Sequence, residues 1–176
     1  MNAFYKTAET LRQGAMTLPG KYYTDPNIFN LEIENIFAKN WLCCGRCDEI
    51  SNPGQYKLVT IYEESIILLR DVNNMLQAFY NVCRHRGTQL CAKLSGNLSK
   101  SIQCGYHGWT YDLQGNLIGA PNMDAVADFD MSDYPLNKIQ LEEWEGFIFI
   151  NLADVPNQFE SEFAPIMNRF SEWEIP

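Results

Sequence analysis

Two short segments of the chain each place one thiol close to one imidazole. The first segment contains Cys83 and His85, and the second contains Cys104 and His107, which are the chain's only two histidines. Thiolate sulfur and imidazole nitrogen are ligands of zinc and of iron in proteins. The spacing therefore predicts a metal centre built from two loops, each of which supplies one sulfur and one nitrogen.

A [2Fe–2S] cluster fits this ligand set, with Cys83 and Cys104 on one iron and His85 and His107 on the other. Two neutral imidazoles in place of thiolates remove negative charge and raise the reduction potential. A structural zinc ion is the alternative, because four nitrogen and sulfur donors also make a tetrahedral site. Zinc fingers usually pair cysteine with cysteine and histidine with histidine, which favours the iron–sulfur cluster here.

Short strands must carry these two loops. Eight are predicted: Gln55–Ile61, Ser65–Arg70, Leu76–Val82, Ser101–Cys104, Trp109–Leu113, Asn116–Gly119, Leu136–Leu141 and Gly146–Asn151. Turn signals at Asn73-Asn74 and Gln114-Gly115 separate some of them. Many short strands without interleaved helices predict a mainly β, antiparallel sandwich or small barrel. Gly87 and Gly108 lie next to the candidate ligands, so that the backbone can bend there.

A helix is predicted before the strands and another after them. Asp25-Pro26 has the form of an N-cap followed by proline at the first helical position, which starts a helix over residues 26–40. Its apolar side chains recur at helical spacing and are expected to face the core: Phe29, Ile33, Ile36 and Phe37. Residues 1–24 are polar and expected to be irregular. The stretch Glu162–Trp173 predicts a short C-terminal amphipathic helix.

Composition narrows the possible functions. The chain has 176 residues, 46% of them hydrophobic, and a formal net charge of −9. This charge disfavours nucleic-acid binding through phosphate contacts and suits basic partner proteins. The sequence has neither a transmembrane segment nor the layout of a signal peptide, so that we expect a cytoplasmic protein without a membrane partner. Six cysteines in such a protein point to metal or redox chemistry rather than disulfides.

The stretches NVCRHRGTQLC and QCGYHGWTYDLQGNLIGAPN resemble the Rieske domain of ring-hydroxylating-type Rieske non-haem iron oxygenases. LPGKYYTDPNIFNLEIENIFAKNW resembles the helical lead-in of their α subunits, and EEWEGFIFINL resembles the strand that closes their Rieske domain. By this resemblance, the cluster ligands are Cys83, His85, Cys104 and His107. The loop residues around the cluster are then Arg86, Gly87, Tyr106, Gly108 and Trp109. The family often has proline at Gly105, which suggests a slightly looser loop here.

The resemblance also indicates a subtype. Respiratory-chain Rieske proteins carry a disulfide between the two cluster loops. The two matching positions in this sequence are Thr88 and Tyr106, so that this disulfide cannot form here. Of the serine and tyrosine that donate hydrogen bonds to the cluster sulfurs in those proteins, only Tyr111 is retained, and Trp109 replaces the serine. Fewer hydrogen bonds stabilise the reduced cluster less. We expect a potential at the low end of the Rieske range.

Two other groups of residues, a cysteine motif and an acidic loop, are predicted to have no redox or metal-binding role. Cys44 and Cys47 form a C-x-x-C motif beside Cys43, but a helix leads into it where a redox-active dithiol needs a helix to follow. These thiols, like Cys91, are expected to be packed and free. The acidic loop around Asp124, Asp128, Asp130 and Asp133 lacks the pattern of an EF-hand and is expected to be solvated.

The resemblance implies a role in electron transfer. Oxygenases of this kind activate O₂ at a separate mononuclear Fe(II) held by two histidines and a carboxylate, and both histidines here are already used. We therefore expect an oxygenase α-subunit portion with a lead-in (1–45), a Rieske domain (46–157) and a helix (158–176) that begins the link to a catalytic domain outside this chain. The expected partners are a ferredoxin or flavin reductase as donor, and the catalytic domain of the same or a neighbouring subunit.

Alternatives to this function remain open at the level of the sequence. One is a stand-alone Rieske ferredoxin, and another is a zinc-stabilised interaction module. The substrate is also undetermined. The opening LPGKYYTDP is similar to that of oxygenases acting on quaternary ammonium compounds, and an aromatic ring is the other class considered.

Overall fold

The computed structural model describes residues 17–167 and 169. In this part of the chain, ten strands form three antiparallel sheets. The strands are β1 (Leu42–Arg46), β2 (Gln55–Ile61), β3 (Glu64–Arg70), β4 (Leu76–Tyr80), β5 (Ser95–Asn97), β6 (Ser101–Gln103), β7 (Thr110–Asp112), β8 (Leu117–Gly119), β9 (Gln140–Trp144) and β10 (Phe147–Asn151). The sheet orders are β1-β10-β9, β4-β3-β2-β5 and β6-β7-β8. The predicted mainly antiparallel β fold is confirmed.

The sheet β4-β3-β2-β5 lies between two hydrophobic cores. Along β3, Ile67 and Leu69 belong to the core shared with β6, β7 and β8. Ile66 and Leu68 belong to the second core, which is shared with β10. All four side chains are fully buried. Burial on both faces explains why β3 is a continuous apolar run rather than an alternating one.

The helices are short. They are α1 (Lys21–Thr24), α2 (Pro26–Glu32) and α3 (Phe159–Met167), and a π-helical turn, Ile33–Phe37, continues α2. Asp25 caps α2 as predicted, because its side chain accepts a hydrogen bond from Asn27 N at 2.9 Å. No helix in the described part of the chain is long and apolar enough to span a membrane.

The N-terminal helical segment differs from the sequence-based expectations in two ways. Residues 21–24 form α1 where irregular structure is predicted. The apolar side chains of α2 and the π-helical turn are not core residues, since Phe29, Ile36 and Phe37 are 46%, 51% and 39% exposed. Phe29 makes one aromatic contact, with Tyr62 in the β2–β3 turn at 5.7 Å between ring centroids. The periodicity identifies the apolar face correctly but not its burial.

The strand predictions are mostly correct, with three differences. β1 and β5 are not predicted, and the predicted strand Leu136–Leu141 is shifted to β9 at Gln140–Trp144. Leu136 is buried through a loop that bonds to the β7–β8 turn, where Leu136 N donates to Gly115 O at 2.8 Å. The C-terminal helix begins before Glu162, at Phe159, and includes Pro165. The predicted end at Trp173 and residues 1–16 lie outside the described residues.

Candidate metal centre

The two predicted loops have the same backbone turn. Each begins where a strand ends: Cys83 follows β4 and Cys104 follows β6. In each, the cysteine carbonyl accepts from the glycine N–H four residues on, and the cysteine N–H donates to the carbonyl five residues on. These bonds are Gly87 N to Cys83 O (3.0 Å), Gly108 N to Cys104 O (3.1 Å), Cys83 N to Thr88 O (2.8 Å) and Cys104 N to Trp109 O (2.8 Å).

Glycine is needed at the closing position of both turns. Gly87 has φ of 71° and Gly108 has φ of 74°. A side chain in this left-handed region is strained, whereas glycine adopts it readily. The glycines noted in the sequence thus determine the shape of the two loops, and they present both cysteines in the same way.

The fold brings the four candidate ligands together in pairs. Cys83 and Cys104 are both buried, and the Cys104 thiol is near enough to contribute to the raised pKa of Cys83. The His85 and His107 rings meet edge to face, with 4.6 Å between centroids. Among residues 17–167 and 169, no three His, Cys, Asp or Glu side chains are placed to hold a single metal ion. The arrangement offers a sulfur pair and a nitrogen pair.

Two buried nitrogens of this site, one on His85 and the Nε1 of Trp109, have no hydrogen-bond partner among the described residues. His85 Nδ1 is buried and makes no hydrogen bond within the described part of the chain. A buried polar atom left unsatisfied costs about 1–3 kcal/mol, and such atoms in native proteins call for an explanation. A metal bound at Nδ1 satisfies this atom. The residues present therefore fit a cluster ligated by two thiolates and two imidazoles.

The electrostatics of the site agree with this fit. Burial, with the nearby His107 and Arg86 charges as smaller causes, lowers the pKa of His85, so that the ring is neutral near pH 7 and can ligate a metal. Burial also raises the pKa of Cys83. A metal ion bound at this sulfur would favour its thiolate form.

Tyr111 lies in β7, directly after the second loop, and its hydroxyl contacts the first loop. Its fully buried side chain places the hydroxyl 3.4 Å from Cys83 Sγ, and the same oxygen accepts from Arg84 N at 3.1 Å. Burial, followed by the contact with Cys83, raises the pKa of Tyr111. The neutral phenol therefore has its proton available for the Cys83 sulfur.

Aromatic side chains hold both imidazoles in place. Trp109 stacks on His85, with 4.8 Å between centroids and 10° between planes, and Tyr106 lies 3.7 Å from His107. Phe129 and Tyr134 contact the other parts of Trp109 at 5.8 and 5.5 Å. Trp109 and Tyr106 are among the predicted loop residues. Phe129 and Tyr134 are not, because they follow the loops in the chain by many residues and no local pattern marks them.

Asn81 is a further residue that the sequence analysis misses. It is buried between β4 and the first loop. Its Oδ1 accepts from Leu90 N and Cys91 N at 3.1 and 2.8 Å, and its Nδ2 donates to Cys91 O at 2.8 Å and to Ser65 Oγ at 3.1 Å. The signal available in the sequence is a lone asparagine two positions before a ligand, at the end of an apolar strand. Through these bonds Asn81 anchors the C-terminal end of the first loop, at Leu90 and Cys91.

The remaining cysteines show no sign of redox activation. Burial, as the largest cause, raises the pKa of Cys44, Cys47 and Cys91 to about 11 each. A redox-active thiol needs a lowered pKa. Cys44 lies in β1, and Cys47 begins a 3₁₀ turn, Cys47–Ile50. Cys43 is the exposed member of the group, so only part of the expectation of packed thiols is met.

A family model described as the Rieske [2Fe-2S] domain matches residues 40–130. This range contains both loops and all three sheets in part or in full. The chain belongs to the Rieske family. The Rieske family implies a [2Fe–2S] cofactor, which agrees with the paired thiols and imidazoles.

The relatives of this Rieske chain are oxygenase subunits. It is 45% identical over 140 residues to the carnitine monooxygenase oxygenase subunit of Escherichia coli (strain K12), an alignment that covers 80% of this chain and 37% of the relative. It is 38% identical over 171 residues to the glycine betaine monooxygenase oxygenase subunit of Chromohalobacter salexigens, covering 96% and 38%. The chain thus spans under two fifths of the length of these relatives.

Solved structures agree with the fold. The apo form of a quaternary ammonium Rieske monooxygenase superposes with a TM-score of 0.82 at 36% identity, covering 88% of this chain and 45% of that chain. Naphthalene 1,2-dioxygenase from Rhodococcus sp. superposes with a TM-score of 0.79 at 32% identity, covering 85% and 34%. The Rieske portion is therefore shared by oxygenases with different substrates.

Proposed function

We propose that Cys83 and Cys104 ligate one iron, and His85 and His107 the other iron, of a [2Fe–2S] cluster that passes single electrons. In this proposal the chain is the electron-entry part of a Rieske non-haem iron oxygenase. The observation that carries the ligand assignment is the pairing of thiol with thiol and imidazole with imidazole, with His85 Nδ1 buried and without a partner among the described residues.

The residues of the chain hold this site rather than react. Tyr111 places its hydroxyl 3.4 Å from the Cys83 sulfur, Trp109 stacks on the His85 ring, and the two glycine turns set the positions of the cysteines. A rigid ligand environment keeps reorganisation small when the charge of the site changes by one electron. The cluster supplies the redox chemistry.

We further propose the expected division into a lead-in (1–45), a Rieske domain (46–157) and a helical segment (158–176). The donor is a ferredoxin or flavin reductase. The acceptor is a mononuclear iron in a catalytic domain of the same or a neighbouring subunit. The lengths of the relatives support this assignment over a stand-alone ferredoxin, because the chain aligns with less than half of each oxygenase subunit.

Metal analysis of the purified chain tests the ligand assignment. Iron and acid-labile sulfide are expected in equal amounts, with a reduction potential well above the roughly −400 mV of plant-type ferredoxins. Cys83→Ser, Cys104→Ser and His107→Ala are expected to lose most of the iron and sulfide. Cys43→Ser and Cys91→Ser are matched controls, because each removes a thiol outside the proposed ligand set, and both are expected to keep the cluster.

Two results would overturn the assignment. Stoichiometric zinc without sulfide would favour the interaction module. Full iron and sulfide in Cys83→Ser or Cys104→Ser, or their loss in Cys91→Ser alone, would place the ligands elsewhere.

For the substrate of the intact oxygenase, we propose a quaternary ammonium compound. The support is the identity of 45% and 38% to subunits named for carnitine and glycine betaine, with up to 96% of this chain covered. The α subunit of benzene 1,2-dioxygenase aligns over only 74% of this chain at 36% identity. An oxygenase containing this chain should consume carnitine or glycine betaine, and consumption of benzene alone would reject the proposal.

A further inference from the structure

Charge is distributed unevenly along this chain. Residues 72–111, which contain both cluster loops, hold four basic residues and no acidic residue. The other 136 residues hold the remaining nine basic residues and all 22 acidic ones. A chain with a net charge of −9 therefore carries its candidate redox centre in its one long stretch free of carboxylates.

Two of these basic residues flank a proposed ligand directly. Arg84 and Arg86 are the sequence neighbours of His85, and both are exposed. The ion pairs found among the described residues involve Arg46, Lys57 and Arg70 instead. Within that part of the chain, neither Arg84 nor Arg86 pairs with a carboxylate. None of the ion pairs among residues 17–167 and 169 neutralises the charge of these two arginines.

The surroundings have the composition of a protein interface. Tyr106, which contacts His107, is 63% exposed, and Val82 is 40% exposed. Arginine and tyrosine are enriched at protein–protein interfaces, where an apolar centre is bordered by charge. We call Val82, Arg84, Arg86 and Tyr106 the basic tip.

An acidic loop is linked to His85 through aromatic ring contacts. Asp128 and Asp130 flank Phe129, whose ring contacts Trp109, which in turn stacks on His85. Two ring contacts thus separate this loop from His85, whereas the arginines are adjacent to it in the chain. Screening at physiological salt acts over about 8 Å, so that the arginines determine the field at His85 more than the loop does.

We infer that the basic tip docks an acidic face of a redox partner protein. The inference rests on the proposed function. A partner with an acidic patch is repelled by the rest of this acidic chain and attracted at the tip, so that the field orients the encounter with the cluster side foremost. The expectation of a basic partner, drawn from net charge alone, does not hold for this surface.

The sign of the local charge can be measured with small redox probes. The chain is loaded with its cluster and reduced, and its reoxidation is followed by stopped flow. Ferricyanide, a trianion, takes one electron and becomes ferrocyanide, with no bond made or broken. Tris(phenanthroline)cobalt(III), a trication, takes one electron in the same way. Work above about 0.1 M salt confines the measured field to about 10 Å around the site and suppresses the contribution of the net charge.

The expected result is opposite salt dependence for the two probes. Between about 0.1 and 0.5 M salt, the ferricyanide rate should fall roughly two- to five-fold and the cobalt rate should rise. The double variant Arg84→Glu/Arg86→Glu should reverse both trends. Lys21→Glu/Lys39→Glu is the matched control, because it changes the net charge equally on the N-terminal helical segment and should behave like the wild type.

A second measurement uses a mimic of an acidic protein surface. Poly-L-glutamate should slow reoxidation by the cobalt complex in the wild type and in the lysine control, but not in the arginine double variant. Arg84→Gln/Arg86→Gln serves where the glutamate variant does not hold a cluster, and it should abolish the salt dependence.

The results that would overturn the inference are distinct from those that concern the proposed function. A reducible cluster whose ferricyanide rate rises with salt in the wild type overturns the inference alone, as does inhibition by poly-L-glutamate that persists in the arginine variants. A chain without a reducible cluster overturns the proposed function and this inference with it.

Discussion

At the residue scale, the candidate centre is defined by what its side chains lack as well as by what they contact. His85 Nδ1 is buried and has no hydrogen bond to any residue that the structure describes, although its ring is stacked on Trp109 and meets His107. Packing that holds a ring so closely while leaving its nitrogen unsatisfied is unfavourable unless a ligand occupies that position. The same pocket places a phenol hydroxyl, on Tyr111, against a proposed ligand sulfur.

Tyr111→Phe is predicted to lower the reduction potential of the cluster. The substitution removes the hydroxyl that lies 3.4 Å from Cys83 Sγ and stabilises the more negative, reduced state. A hydrogen bond worth about 1 kcal/mol corresponds to about 40 mV for one electron. Redox titration monitored by visible circular dichroism measures the shift.

Tyr134→Phe is the matched control for this prediction. Tyr134 belongs to the same aromatic group, since its ring lies 5.5 Å from Trp109. In the described part of the chain, the tyrosine hydroxyl bonded to Cys83 is that of Tyr111 and not that of Tyr134. Its potential should equal that of the wild type. Equal potentials for Tyr111→Phe and the wild type would show that the hydroxyl does not act on the sulfur.

The thiols outside the centre are predicted to differ from one another in their reactivity toward iodoacetamide. Iodoacetamide near pH 8 should modify exposed Cys43 and leave Cys44, Cys47 and Cys91 unmodified, because burial raises the pKa of these three to about 11. Peptide mapping by mass spectrometry measures the modification at each position. Early modification of Cys47 would contradict the assignment of these thiols as inert.

The same pKa shifts set a stability change with pH. The folded-state pKa of about 11 lies above the ordinary value of 9.0, so that folding favours the protonated thiol. The contribution of these protonated thiols to the free energy of unfolding is fully present below pH 9. This contribution is lost as the pH rises from 9 to 11. Urea unfolding over this range should show the decrease.

At the element scale, the sequence predicts those turns and strands that depend on residues close to one another in the chain. The turns at the two loops depend on glycines one or two positions from the ligands, and β3 depends on its own apolar run. β5, with the sequence Ser-Gly-Asn, has no strand pattern and exists because Gln55–Lys57 of β2 offers it an edge. Asn81 likewise acquires its role from a loop that folds back onto it. These features depend on long-range pairing, which a local pattern does not contain.

The N-terminal helical segment shows a second limit. Its 3.6-residue periodicity places Phe29, Ile33 and Ile36 on one side, and a helix does form there. Periodicity indicates which face is apolar but not what covers it. The switch from α- to π-helical hydrogen bonds at Ile33 also has no recognisable signal in the residues themselves.

Gly115→Ala is predicted to destabilise the chain by about 2–4 kcal/mol. Gly115 lies in the β7–β8 turn with φ of +90°, and an added Cβ would lie 2.5 Å from Cε1 of Phe79, a fully buried residue. Both the strained backbone and the overpacked ring act in the same direction. The midpoint of urea unfolding measures the effect.

Gly105→Ala is the control at the element scale. An added Cβ at Gly105 meets no atom within 4 Å, although the residue lies inside the second cluster loop. Its free energy of unfolding should stay within about 0.5 kcal/mol of the wild type, with the iron content unchanged. A large loss at Gly105 would mean that this loop is tighter than its backbone geometry indicates.

At the scale of the whole molecule, the histidine count limits which of an oxygenase's metals the chain is expected to hold. The mononuclear Fe(II) of such enzymes needs two histidines and a carboxylate. This chain has two histidines, and the proposed cluster uses both. We therefore predict two irons and two sulfides per chain, with no third iron retained after desalting.

The same limit predicts what the chain does with reductant and oxygen. The cluster-loaded chain should accept an electron from dithionite and pass it to ferricyanide, but it should not consume carnitine or glycine betaine. Proton NMR of the substrate pool measures consumption, and the ferricyanide reaction is the control that the cluster is competent. Substrate loss at two irons per chain would mean that O₂ is activated without a second iron site. A tightly held third iron would mean that carboxylates or cysteines replace the histidines, since no other imidazole exists in the sequence.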